Sequence, residues 1–408
     1  MSNTYLSDIA KNKSKIDNLS KQIANQSSIL KPSDSPIGTA KVLRLNSKIG
    51  STDMYLKNIQ NSFGFVDETI RGMESIESEL SKILVNLTES SNSINKDFLS
   101  TYADQIDKAL DSILTSANIS YDGKYIFGGT AHSSKPYSIT NDRSAVLLNA
   151  ADVSGESKVK IGNSTNQKIN ISGAELFSTV LKQDGSLDSA AAIGSTVNDT
   201  ATVYDSYGNP FDLNLTYTKT SATEYDVAYD IVDGGGTTVQ SDNLSLTFDS
   251  YTGKILNADG KVNGQVSIND TSHKVNFMLD FNSLSIGSSP SSLSLSANQE
   301  KDIFNTIIKI RDDLKNGLQP DAADVEAVKT FHQKLLNKMS DAGYVYNNLE
   351  NTKSLLETQR VEIESMISAE KDLDMAKAIM DMQNYDYLLQ VSYKMSAMIL
   401  PKSLLDFI

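Results

Sequence analysis

Apolar residues recur every three or four positions at both ends of this chain, and that spacing constrains its fold more than any other feature. Near the N-terminus Ile9, Ile16, Ile23 and Leu30 stand seven apart. After a break at KPSDSPIG a longer stripe opens: Val42, Leu45, Ile49, Leu56, Ile59, Phe63, Val66, Ile70, Met73, Leu80, Leu84 and Leu87, with only Thr52 and Glu77 out of pattern. The far end mirrors it. Leu335, Ala342, Leu349, Leu356 and Ile363 are seven apart, and Met366, Leu373, Met380 and Tyr387 continue the period. A repeat of seven is close to two helical turns, so these residues share one stripe, and the stripe has to be covered by another helix. The nearest available cover for either seam is the seam at the other end.

Local signals bound these helices. Ser35 suits an N-cap and Pro36 the first helical position, where a missing N–H costs nothing. Ser296 and Gln299 have the spacing of a capping box for a later helix. A further amphipathic segment lies near residues 97–120, and Pro401 ends the last helix.

Glycine separates the ends from the middle: four lie in residues 1–120, sixteen in 121–300 and two in 301–408. Gly weakens helices and serves turns, so the middle reads as turn-rich β structure. Alternation at two agrees. FDLNLTY puts Phe211, Leu213, Leu215 and Tyr217 on one face, YDVAYDI does so with Tyr225, Val227, Tyr229 and Ile231, and VNFMLDF with Val275, Phe277, Leu279 and Phe281. VYDSYGN at 203–209 and TFDSYTG at 247–253 predict two similar turns, VDGGGTT at 232–238 a loop tip, DGKYIFGGT at 122–130 a strand between turns, and DGSLD at 184–188 an acidic turn. The expected fold class is α+β, with a long coiled-coil-like helical bundle built from the N- and C-terminal segments and a central all-β domain or domains.

Composition removes several kinds of chemistry. A formal charge of −14 argues against nucleic acid, whose binding needs a positive surface. There is no Cys, and His132, His273 and His332 lie far apart without metal-ligand spacing. No Gly-Lys-Ser/Thr closes DGKYIFGGT into a phosphate loop, and DGSLD lacks the order of a calcium loop. No nucleophile–base pair can be named. The expectation is therefore no enzyme: no catalytic residue, no cofactor and no metal. No apolar run is long enough to span a bilayer, so no membrane is expected as a partner. The N-terminal stretch lacks the apolar core of a cleaved secretory signal.

Two stretches stay unassigned by pattern alone. The Met-rich MAKAIMDMQNYDYLLQVSYKMSAMIL fits either a core helix or an adaptable partner surface. The closing SLLDFI carries Leu404, Leu405, Phe407 and Ile408. Burying each is worth about 1.5–3 kcal/mol, and ordering each of the six backbones costs about 1–2 kcal/mol. The balance is near zero, so this segment is expected to order where neighbouring chains add contacts.

Several motifs carry a family likeness. KPSDSPIGTAKVLRLNSKI at 31–49 resembles the N-terminal loop-and-helix motif of the flagellin superfamily. DGKYIFGGT, VKIGNSTNQKINISGAELF at 159–177, DAGYVYNNLE at 341–350 and SLLDFI resemble its junction-subunit branch, so that the likeness covers roughly residues 1–177 and 298–408. Residues 196–285 resemble instead a β domain of the hook protein. The resemblance implies a structural subunit of the bacterial flagellum that joins hook to filament. It implies an assembly helix over 1–35, two halves of a helical rod over 36–130 and 298–365, β structure over 131–297 and a second assembly helix over 366–408. The implied assembly interface is Ile9, Ile16, Ile23, Leu30, Met380, Tyr387, Val391, Met395, Leu404, Leu405, Phe407 and Ile408. The implied partners are copies of the chain in a ring, a neighbouring hook-associated protein, flagellin, and an export chaperone on the C-terminal region. Export without a cleaved signal, to the flagellum, follows from the same likeness. Two other readings stay open: a filament-forming flagellin-type subunit, and a secreted binding protein that uses the β insert.

Overall fold

The computed structural model describes residues 2–91, 98–130, 132–149, 153, 155–260, 264–287, 290–297 and 302–399. Three helices come first, α1 (Ser2–Asn25), α2 (Pro36–Ser90) and α3 (Leu99–Ala117). Three short ribbons follow: β1 (Ser120–Tyr121) with β2 (Lys124–Tyr125), β3 (Tyr137–Ile139) with β4 (Val146–Leu148), and β5 (Lys158–Lys160) with β6 (Asn166–Lys168). After α4 (Gly173–Phe177) come the long strands β7 (Thr179–Asp188), β8 (Thr196–Tyr204), β9 (Pro210–Lys219), β10 (Glu224–Val232) and β11 (Thr238–Phe248). Then come β12 (Ile255–Ala258), β13 (Gln265–Asp270), β14 (Val275–Asp280), β15 (Leu284–Gly287) and β16 (Ser292–Ala297). The chain closes with α5 (Ile303–Lys315), α6 (Ala322–Lys371) and α7 (Met375–Ile399). Two compact units result, one of residues 1–58 with 351–408 and one of residues 59–350.

In the 59–350 unit, α2, α3, α5 and α6 share one core. The seam row Ile59, Val66, Met73, Leu80 and Leu87 is buried as the heptad requires. The second row is not the one the pattern suggested. Phe63, Ile70 and Leu84 are half-buried, and the buried row is Ser62, Thr69, Ile76, Ile83 and Ser90. Hydroxyls can occupy it because the helix itself satisfies them: Thr69 Oγ1 donates to Phe65 O at 2.8 Å and Ser90 Oγ to Leu87 O at 3.0 Å. A hydrophobicity pattern cannot see that. Glu77, the break in the stripe, is half-buried and faces α6, where His332 Nε2 lies 3.2 Å away. Ser81 Oγ donates to it at 2.9 Å, and these two contacts hold the carboxyl below its ordinary range.

Five rings close the bottom of this core. Tyr137 is packed against Phe177 and Phe304 at centroid distances of 5.2 and 5.1 Å, and Phe177 against Phe127 and Phe331 at 5.5 and 6.1 Å. DGKYIFGGT contributes Phe127. Asp122 (φ 50°) and Gly123 (φ 73°) make a left-handed two-residue turn between β1 and β2, and Ile126 and Phe127 then enter the core. The expected strand is thus only two residues long. The predicted capping box is also corrected. Ser296 sits in β16 opposite Lys182 of β7, Gln299 lies outside the described residues, and α5 is capped by Asp302, which accepts Asn305 N–H at 3.0 Å.

The same unit carries two facing sheets. One runs β12-β11-β10-β9-β8, antiparallel throughout, and the other β13-β14-β7-β15 with β16 on the second edge of β7. β14 pairs in parallel with residues 179–182 of β7 and β15 with residues 185–188. DGSLD is therefore half of a strand, not a turn. Gly185 stands where β7 changes partner, at φ 125°, and a Cβ there would lie 2.1 Å from Ser292 O. The inward rows are those expected: Leu213, Leu215 and Tyr217; Tyr225, Val227, Tyr229 and Ile231; Val275, Phe277, Leu279 and Phe281 are all buried, and Phe211 is half-buried. The two echoing turns share one mechanism. Asp205 accepts from Tyr207 and Asn209 N–H at 2.9 and 2.8 Å, and Asp249 from Tyr251 and Thr252 N–H at 3.0 and 2.6 Å.

Candidate assembly interface

The unit of residues 1–58 and 351–408 holds most of the site residues expected from sequence. Its terminal helices α1 and α7 pack against each other. They run antiparallel, as the bridge between Ser27 and Asp372 and the contact of Lys15 with Tyr385 require. Lys15 Nζ donates to Tyr385 OH at 3.1 Å and lies 4.6 Å from the ring centre. On α1 the inward stripe is Ile9, Asn12, Ile16, Leu19 and Ile23, all half-buried. On α7 it is Ala378, which is buried, with Met382, Tyr385, Leu389 and Ser392 half-buried. Two helices alone cannot enclose a core, which is why, among the residues of the pair whose burial is described, Ala378 alone reaches full burial.

The predicted residues divide into two groups. Ile9, Ile16 and Ile23 belong to the seam inside the pair, and Val391 is half-buried. Met380, Tyr387 and Met395 are exposed, at 58%, 67% and 47% of their surface. They are joined by Met375, Ile379, Leu388 and Tyr393, which the period of seven did not single out. On a helical wheel these exposed residues surround α7 on every side that α1 leaves open. These open faces mix large apolar side chains with exposed Lys377, Gln383, Asp386 and Lys394, and the excess of exposed Met, Leu and Tyr was the signal available in the sequence. Leu404, Leu405, Phe407 and Ile408 lie outside the described residues.

The connection beside this pair is tightly tied. Ser28 N–H and Oγ both donate to Lys371 O, at 2.7 and 2.9 Å, and Leu373 N–H donates to Gln26 O at 3.3 Å. Gln26 itself is left-handed, with φ 51°. Leu30 is half-buried in the following loop, where its N–H and that of Lys31 donate to Asp34. Ser35 caps α2 as expected, accepting Gly38 N–H at 3.1 Å. Gly38 is tightly surrounded: a Cβ would lie 2.7 Å from Ser35 Oγ and 2.9 Å from both Ile29 Cδ1 and Glu370 Oε1, so these side-chain ends would have to shift to admit one. Lys41 and Glu370 pair at 2.7 Å, and Arg360 and Asp53 at 2.9 Å. Leu45, Tyr55 and Leu356 are buried here. These contacts hold polypeptide in register; the chemistry they offer is packing.

Among the described residues no group of His, Asp and Glu has metal-site geometry, and no helix is long and apolar enough to cross a membrane. His273 sits by Asp270 at 2.5 Å and His332 by Glu77, on different elements.

Comparison with known proteins places each part. Residues 1–132 match the bacterial flagellin N-terminal helical region and residues 325–408 the bacterial flagellin C-terminal helical region. Residues 175–306 match the flagellar basal body protein FlaE D2 domain, so this domain is wider than the 196–285 expected and includes β7 and β16. No curated protein matches the chain. Among solved structures, FlgL of Xanthomonas campestris is similar at 17% identity and a TM-score of 0.46, over 79% of this chain and 99% of that one. Hook-associated protein-3 of Legionella pneumophila is similar at 14% identity and a TM-score of 0.46, over 80% and 98%. A putative flagellar hook-associated protein of Vibrio parahaemolyticus is similar at 13% identity and a TM-score of 0.47, over 83% and 100%.

Proposed function

The chain belongs to the flagellin superfamily, with a hook-type D2 domain between its terminal helical regions, and from that premise we propose that it is the adaptor joining hook to filament. It is a structural subunit of the flagellum. The observation that carries the finer reading is the combination itself: one chain pairs the terminal helices of a filament subunit with a domain of the hook type. A subunit at the boundary between the two has to fit both.

In this reading α1 and α7 are the assembly surface. Copies of the chain form a ring, with a further hook-associated protein or flagellin as neighbour, and the exposed Met380, Tyr387 and Met395 become buried against them. Leu30, Val391 and the SLLDFI segment extend that surface. Before assembly, an export chaperone covers the C-terminal region. The chain reaches the flagellum without a cleaved signal, and its role involves no turnover of substrate.

The test is the double substitution Ile16→Asp with Ile23→Asp. Both side chains lie in the α1–α7 seam and far in sequence from the β insert. The expected result is unchanged strand signal in circular dichroism with loss of incorporation into flagella. Normal incorporation of the double variant would refute the role given to the pair. The wild-type chain should also fail to polymerise alone into long filaments; if it does polymerise, it is a filament subunit instead.

A further inference from the structure

A cavity of about 310 Å³ opens within the 59–350 unit where α6 faces the base of the β insert. Phe331, Lys334 and Lys338 line it from α6, Glu175 from α4, Ser178 from the turn before β7, Lys182 from β7 and Asp280 from β14. Lys334 is the half-buried group at its centre. Its Nζ donates to Ser178 O at 3.4 Å, and among the described residues no carboxylate lies within ion-pair distance of it. An ammonium has three donors to place, and the protein supplies one long contact.

The carboxylates nearby already have partners. Glu175 is held by Lys168 at 2.5 Å, Asp341 by Lys338 at 3.2 Å, and Asp280 by Gln265 Nε2 at 3.0 Å and Asn282 N–H at 2.9 Å. Lys334 is therefore the cavity amine that no carboxylate answers among the described residues, whereas Lys338 already pairs with Asp341. That is unusual in a protein of net charge −14. Burial, and then the charge of Lys338, pull Lys334 down to about 8, against an opposing pull from Glu175.

We propose that this cavity is a binding site for a small anion of phosphate or carboxylate chemistry, with Lys334 as its principal contact and Lys182 and Lys338 as supporting charges. An anion supplies the acceptors that Lys334 lacks and keeps its amine charged. Because the walls come from α6 on one side and from β7 and β14 on the other, a bound anion ties the insert to the bundle. The site goes beyond the adaptor role and does not depend on it.

Isothermal titration calorimetry of the full chain tests the proposal, with inorganic phosphate in one series and acetate in another at matched ionic strength. The expected result is saturable binding of one anion per chain at pH 7. Affinity should fall at least tenfold at pH 9.5, where Lys334 is neutral. Lys334→Met should lose binding and Lys334→Arg should keep it, with far-UV circular dichroism showing both folded. The series that saturates names the ligand: phosphate or a carboxylate. No saturable heat in either series overturns the proposal, as does equal binding by Lys334→Met, which would mark an adventitious ion only. Flagellar incorporation is not read here, so failure of this site and failure of the adaptor reading are distinguishable.

Discussion

Alanine substitutions at Ile83 and Leu84, made one at a time, decide which way α2 faces its core. Ile83 is fully buried, and Leu84 is half-buried at the edge of the same cluster. Full burial of an aliphatic side chain is worth about 1.5–3 kcal/mol. Truncating Ile83 loses most of that and leaves a cavity that its close-packed neighbours cannot fill, for a cost of about 3–4 kcal/mol within the 2–5 kcal/mol seen for such changes. Truncating Leu84 loses roughly half the transfer energy, and water fills the space, so the cost is about 1 kcal/mol. The gap of about 2 kcal/mol is more than a tenfold difference in the unfolding equilibrium. Guanidinium denaturation of the full chain, followed by circular dichroism at 222 nm, measures it. If Leu84→Ala costs as much as Ile83→Ala, α2 is rotated toward the row that the hydrophobic pattern favoured, and the buried-hydroxyl argument fails.

Other perturbations probe the rest of the molecule. Arg311→Met removes a buried guanidinium that pairs with Asp107 at 2.9 Å and donates to Arg143 O at 2.8 Å, and should cost about 3–5 kcal/mol in the same denaturation assay. Burial raises the Asp107 carboxyl, but hydrogen bonds from Arg143 and Arg311 outweigh it and hold the group below its ordinary range. Its stabilisation is therefore present above the unfolded carboxylate value and is lost as pH falls through the folded one; an acid titration of Arg311→Met should begin to unfold at higher pH than wild type. Gly185→Ala forces a side chain into φ 125° and against Ser292 O, and should cost about 1–3 kcal/mol from the backbone alone, read as faster amide exchange along β7, β15 and β16. Lys334 is depressed in the folded state, so the unfolded chain binds the extra proton between about pH 8 and the ordinary lysine range, and stability rises with pH across that window. In anion-free buffer Lys334→Met should be more stable than wild type at pH 7, with the gap closing as pH rises through that window.

The parts legible in the sequence were those set by a period. Leu335, Ala342, Leu349 and Leu356 are buried as their spacing of seven required. The insert strands around Leu213, Val227 and Phe277 alternate as written, because one face of each meets the opposite sheet. What stayed hidden depended on contacts distant in sequence or on polar groups satisfied locally. Thr69 and Ser62 look like surface residues until their place in the helix is known. DGSLD has the composition of a turn, yet it is the second half of β7 and pairs with β15 on one edge and β16 on the other, a fact of topology. Arg311 meets Asp107, and Lys334 meets Ser178, across long stretches of chain that no local motif connects. The assembly surface was half legible: the seam of Ile9, Ile16 and Ile23 follows from spacing, whereas the exposed Leu388 and Tyr393 of α7 are visible only once α1 has taken its side.

The central claim is that this chain stands between hook and filament. Immunogold electron microscopy of isolated flagella, with antibody raised against residues 175–306, tests it most directly. The account predicts label confined to a spot where hook meets filament. Label along the whole filament, or along the hook, would contradict it.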